Sequence, residues 1–325
     1  MSSVTRRILV TGANGFIGSA VLRRLVRDGL HRPVAAVRRA DPRLPPVVEA
    51  MLVGDLAEAD NWSTALRGVD VVVHAAARVH VMRDTELDPL SEFRRVNLQG
   101  TLNIARRAVA AGVSRFVFLS SIKVNGESTE PGRPFTSEDA PAPQDPYGVS
   151  KAEAEDGLRA LARETGLEVV IIRPPLVYGP GVKANFLSMM RWVNRGIPLP
   201  LAGIHNKRSM VGLDNLVDLI VACADHAGAP GKTFLAADAE DLSTTELLQR
   251  VGGVLGRPAR LFPVPEPLLA SLAKALGKGP VVQRLFGSLQ VDSSAARHVL
   301  GWKPPVSVDE ALTLTARHFL GQGSE

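Results

Sequence analysis

The chain has 325 residues, a formal net charge of +5 and a single cysteine, Cys223. One cysteine excludes an internal disulfide and suits a reducing compartment, and no apolar run reaches the roughly 18 residues that a membrane span needs. Arginine and lysine are dispersed among few aromatics, so no basic-aromatic stripe for single-stranded nucleic acid is present. The positive balance would instead suit an anionic small molecule.

The length predicts about two domains. Met1 to Arg7 meets the first apolar run too soon for a signal peptide, so a cytoplasmic protein is expected. Short β-branched runs at 7–10, 33–37, 51–53, 69–73, 115–119 and 168–172 read as strands. Helical patterns at 16–28, 58–67, 93–111 and 147–165 lie between most of them, with Gly29, Gly112 and Gly166 at helix ends. This alternation predicts an α/β fold, a doubly wound parallel sheet of the Rossmann type. After Arg173 the texture changes: prolines break the pattern, and helices are expected at 214–227, 244–255, 267–276 and 308–320. Ser243/Glu246 and Ser307/Glu310 match capping boxes. We therefore expect a dinucleotide-binding domain over 1–172 and a smaller mixed α/β substrate-binding domain over 173–325, with some segments returning to the first sheet. Cys223, within an apolar helical run, reads as a buried structural thiol.

The chemistry concentrates at two motifs. Thr11-Gly12-Ala-Asn14-Gly15-Phe16-Ile17-Gly18 sits between a strand and a helix, the context of a dinucleotide-binding turn. Its glycines let backbone approach a pyrophosphate at the helix N-terminus. Tyr147 and Lys151 follow Asp145-Pro146, which reads as a helix start. Four residues apart, they share a helix face, and the ammonium is expected to bring the phenol toward working pH as a proton donor-acceptor. Arg38-Arg39 follows the second strand with no acid before Asp41. Guanidinium there suits the 2′-phosphate of NADP(H), which is favoured, with NAD(H) as the alternative. A lone His, such as His74 or His80, reads as a structural residue, and no His/Cys/Asp set has metal spacing, so no metal is expected. Asn97 reads either as a brace for the site or as a packing residue.

Together these motifs resemble the extended short-chain dehydrogenase/reductases, in the epimerase/dehydratase branch that acts on nucleotide sugars. The resemblance runs from Ile8 to Leu300-Gly-Trp-Lys-Pro304. It also rests on Gly54-Asp55-Leu56, His74-Ala75-Ala76-Ala77, Ser120-Ser121, Arg173-Pro174-Pro-Leu-Val-Tyr-Gly-Pro180 and Arg208. It implies catalytic Ser121, Tyr147 and Lys151. It places cofactor contacts at the glycine turn (Gly12, Asn14, Gly15, Phe16, Ile17, Gly18), Arg38, Asp55, Leu56, Ala75 to Ala77, Lys151 and Pro174. Substrate contacts are implied at Arg78, Lys123, Asn185 and Arg208. The family's dehydratases carry an Asp-Glu pair after the serine position, and this chain has Ile122-Lys123 instead, which disfavours a 4,6-dehydratase. The remaining expectation is an NAD(P)-dependent reductase of UDP-4-keto-6-deoxy-(N-acetyl)hexoses for surface polysaccharide synthesis. A UDP-hexose 4-epimerase is the alternative, and a non-catalytic NADP-binding sensor a remote one. The family usually forms homodimers.

Overall fold

The computed structural model describes residues 5–57, 61–79, 88–130, 132–265, 268 and 285–322. Its frame is a seven-stranded, all-parallel sheet in the order β10-β6-β5-β4-β1-β2-β3. The strands are β1 (Arg7–Thr11), β2 (Arg32–Val37), β3 (Glu49–Leu52), β4 (Val71–His74), β5 (Arg115–Leu119), β6 (Glu168–Arg173) and β10 (Thr233–Leu235). Val71 to His74 is buried throughout, as expected of a strand covered on both faces. Side-chain alternation along β1 divides the core: Ile8 and Val10 face α1 (Phe16–Asp28) and α7 (Leu213–Asp225). Leu9 faces α2 (Trp62–Ala65), α4 (Thr101–Ala110) and α5 (Pro146–Thr165).

Local signals fix the helix ends. Gly29 and Gly166 both adopt left-handed φ (66° and 77°) and close α1 and α5. The expected long helix over 93–111 is instead three pieces: α3 (Pro89–Phe93), a π-helical stretch (Arg94–Gly100) and α4. The wider turn lets Asn97 reach inward to Arg78 and Ser150, a demand that periodicity does not register. Of the helix expected over 58–67, the described residues contain Trp62–Ala65. Nearly all of the helix expected over 267–276, and His80, lie outside the described residues.

Beyond β6 the chain forms β7 (Leu176–Tyr178), α6 (Ala184–Asn194), β8 (Leu199–Ala202), β9 (Met210–Gly212), α8 (Thr244–Val254), β11 (Leu261–Pro263), α9 (Ser294–Leu300) and α10 (Val308–Phe319). β7 pairs with β9 and β8 with β11, while β10 returns to the large sheet beside β6. Both capping boxes are present, at Ser243/Glu246 and Ser307/Glu310. A separate cluster around Tyr178, Phe186, Leu248 and Leu312 holds this half together.

Candidate active site

The carboxyl ends of the strands carry the site. After β1 the chain turns at Gly12 (φ +65°), and Gly15 N–H donates to Gly12 O at 2.8 Å. A Cβ on Gly18 would sit 2.2 Å from Gly12 O, and one on Gly12 would sit 2.9 Å from the backbone of Ala75. No side chain caps the start of α1, and its first turn contains no acid. Its leading N–H groups and the positive end of its dipole are therefore left for an anion.

A cavity of about 800 Å³ opens over this turn. It is lined by Gly12, Asn14 to Gly18, Arg38, Asp55, Leu56 and Ala75 to Ala77, which are all the anticipated cofactor positions except Lys151 and Pro174. Arg78 and Asn185 also line it; Ser121, Tyr147, Lys123 and Arg208 are not among its lining residues. Asp55 accepts from Ala57 N–H at 2.9 Å and pairs with Arg95 at 3.5 Å, so it caps a turn as well as facing the cavity. Trp62 lines the same end, and its indole nitrogen is buried with no hydrogen-bond partner in the structure. The bare turn, the uncapped helix and this orphaned donor fit a dinucleotide.

Ser121 and Tyr147 come together beyond β5, and Lys151 reaches the last residue of that strand. Asp145 caps α5 by accepting from Gly148 N–H at 2.7 Å, and Pro146 fills the first helical position. Tyr147 lies close enough to Ser121 for that hydroxyl to favour the phenolate, and packs edge-on against Phe93, with centroids 5.9 Å apart. Lys151 is 1% exposed; its ammonium donates to Leu119 O at 2.9 Å and lies 4.5 Å from the centre of the Phe118 ring. Lys123 pairs with Glu127 at 2.8 Å and with Asp145, which ties it to the cap of α5. Arg208 donates to Gly287 O at 3.0 Å and bridges the backbone of Leu242 and Leu289.

The electrostatics depart from expectation at the phenol. Burial, then repulsion from Asp145, push Tyr147 up to about 12, against the lowering effect of the Ser121 hydroxyl. The expectation that Lys151 pulls it toward working pH is therefore not met, since Lys151 is not among the groups that shift the phenol. The physical reason is direction: the ammonium is spent on Leu119 O and the Phe118 ring. Burial brings Lys151 itself down to about 7, opposed by Glu155 one turn further along α5.

Glu155 is the residue that the sequence reading passed over. Fully buried, it accepts from Ser120 (2.6 Å), Arg159 (2.9 Å) and Arg173 (2.9 and 2.6 Å). Arg173 also donates to Asn125 at 2.8 Å, so one carboxylate ties β5, α5 and β6 together directly beneath Ser121. The 147/151/155 spacing already places Glu155 on the catalytic face of the helix, and that was the available signal.

His74 is a structural brace. Ala76 N–H donates to Thr11 Oγ1 (3.2 Å), leaving the Thr11 hydroxyl proton for His74 Nδ1 (2.7 Å), while Nε2 donates to Thr101 Oγ1 (3.0 Å). Burial, then the nearby Lys151 charge, bring His74 down to about 3. An unfolded His binds its proton near 6.5, so between pH 6.5 and 3 the unfolded chain carries the extra proton. Stability from this group is then full above pH 6.5 and lost as pH falls toward 3, by on the order of 4 kcal/mol in all. Urea unfolding at pH 7 and pH 4.5 should show a loss about 2 kcal/mol larger for the native chain than for His74→Gln; equal losses would refute the role.

Among the described residues no cluster of His, Cys, Asp and Glu could hold a metal ion, and no helix there is long and apolar enough to cross a membrane. Cys223 is buried, which raises its thiol pKa and leaves it inert.

Comparison with known proteins places these features in context. The profile of the NAD dependent epimerase/dehydratase family matches residues 8–237. A UDP-glucose 4-epimerase of Vibrio cholerae is 47% identical over 316 residues, covering 97% of this chain and 96% of the relative. A UDP-glucose 4-epimerase of Mycolicibacterium smegmatis is 31% identical, covering 96% of this chain and 98% of the relative. In fold, the chain superposes on the Thermus thermophilus UDP-glucose 4-epimerase in complex with NAD with a TM-score of 0.78, at 24% identity, covering 98% of this chain and 100% of the other.

Proposed function

The chain belongs to the NAD dependent epimerase/dehydratase family, and from that premise we propose that it is a nucleotide-sugar enzyme working at C4, in the first place a UDP-hexose 4-epimerase. The observation that carries this reading is the closeness of Ser121 and Tyr147 past the end of β5, on a sheet whose strand ends also carry a cavity lined by the glycine turn. Sequence alone leans toward the 4-keto reductase; the 47% identity to a UDP-glucose 4-epimerase moves the balance to the epimerase.

Bound in the cavity, a nicotinamide supplies reversible hydride transfer. The chain supplies the proton management and the orientation. Tyr147 moves a proton at the sugar C4 oxygen, and the Ser121 hydroxyl donates its hydrogen bond to that oxygen. Lys151 adds positive charge from beneath, and Glu155 favours its charged form. The α1 N-terminus and the bare glycine turn seat the dinucleotide phosphates. Asn185 at the cavity and Arg208 on the adjoining half are the substrate-phosphate contacts in this reading. We also read the working form as a cytoplasmic homodimer, from the single buried cysteine and the family's usual assembly.

A second reading, the NADP(H)-dependent reductase of 4-keto-6-deoxy sugars, is favoured by the end of β2. Arg38 lines the cavity, while Asp41, the first acid after it, is held by Arg43 at 2.9 and 2.7 Å. A phenol held protonated also suits a reaction that begins with proton donation to a ketone. One experiment separates the two. Purified protein is denatured to release any nicotinamide, and native protein is given UDP-glucose with no cofactor added. The epimerase releases bound NAD and forms UDP-galactose unaided. Protein that is empty, inert with UDP-hexoses and oxidises NADPH against 4-keto-6-deoxy nucleotide sugars overturns the epimerase in favour of the reductase.

A further inference from the structure

At the opposite end of the sheet, a second concavity of about 450 Å³ is lined by Thr5, Arg7, Arg32, Arg67, Gly68 and Asp70. Arg7 and Arg32 begin adjacent parallel strands in direct register, so their side chains leave the same face of the sheet side by side. Like charges placed directly opposite in a sheet repel. Glu49 answers only one of them, pairing with Arg7 NH2 at 2.7 Å from two strands away, and Asp70 spends a carboxylate oxygen on Arg7 N–H at 2.7 Å. Neither Arg32 nor Arg67 has an acidic partner among the described residues. Arg7 itself is only partly exposed, and its Nε is buried without a hydrogen-bond partner among the described residues, so it contributes through its outer nitrogens.

Two guanidiniums without an acidic partner among the described residues, Arg32 and Arg67, thus line one recess with Arg7. Guanidinium donors match phosphate oxygens in fork geometry. We propose that this recess is a second anion site, binding a phosphate-bearing ligand of diphosphate size. The five residues of β1 separate it from the glycine turn, on the order of 16 Å of strand, so it is distinct from the dinucleotide cavity. The proposal is independent of the C4 chemistry above. A ligand held by strand starts binds only the folded chain, and therefore stabilises it by mass action without competing for the catalytic end.

The test is titration calorimetry of the full chain with inorganic pyrophosphate at fixed ionic strength, against the double variant Arg32→Ala/Arg67→Ala. Both side chains are exposed, so the variant should fold, and its thermal unfolding without pyrophosphate is the control. The native chain should bind one more equivalent than the variant, or bind that equivalent at least about tenfold more tightly, with turnover of the two within about twofold. Pyrophosphate at the catalytic end contributes equally to both proteins and cancels. Equal binding by both, or the same thermal shift from sodium chloride at matched ionic strength, overturns the site and leaves a solvated basic patch.

Discussion

Tyr147→Phe should lower turnover by about 10²- to 10⁴-fold while dinucleotide and nucleotide-sugar binding stay within about threefold. The substitution removes one oxygen. The ring keeps its edge contact with Phe93, and the α5 cap at Asp145 is untouched. What disappears is the group that lies beside Ser121 and moves the proton at the sugar oxygen. Steady-state rates beside calorimetric binding of NAD and UDP check the separation. Normal turnover by the variant would remove Tyr147 from the chemistry and revive a binding-only role. Burial pushes the phenol up to about 12, and a cation seated beside it would favour the phenolate. A phenol titration followed near 295 nm should therefore show a lower pKa with NAD bound than without.

The second large effect is on stability. Arg173→Met should destabilise the fold by about 3–5 kcal/mol, because it strands the Glu155 carboxylate in a fully buried position. For a chain of this size that is a fall in unfolding temperature of roughly 4–7 °C, readable by calorimetry. Replacing both partners, Glu155→Leu with Arg173→Met, should recover part of the loss, since the charge left behind costs more than the pair contributes. A single-variant loss below about 1 kcal/mol would mean that Arg159 and Ser120 suffice to satisfy the carboxylate. Turnover should fall with Arg173→Met as well, because Asn125, four residues past the proposed catalytic Ser121, loses its bond to Arg173.

Both effects show where sequence reading reaches and where it stops. The glycine turn, the Asp145-Pro146 start of α5 and the glycine ends at 29 and 166 are local decisions, each made by two or three neighbouring residues. They are legible for that reason. So is the parallel sheet, which follows from strand-helix alternation. β10, β8 and β11 were not legible: three or four residues long, with a proline in both β8 and β11, they owe their existence to partners far along the chain. The same limit governs the site. Tyr147 and Lys151 could be placed on one helix face from their spacing alone. Where the Lys151 ammonium points depends on Leu119 O and Phe118, and the buried ion cluster around Glu155 joins residues up to 35 positions from it.

The packing of Gly18 against the Gly12 carbonyl, too close for even a methyl group, divides the binding region by what can change. The phosphate seat is made of main chain, so substitutions elsewhere in the cavity leave it where it is. The rim at Arg38 is made of a side chain in open solvent. A change at that rim should therefore leave the main-chain turn undisturbed.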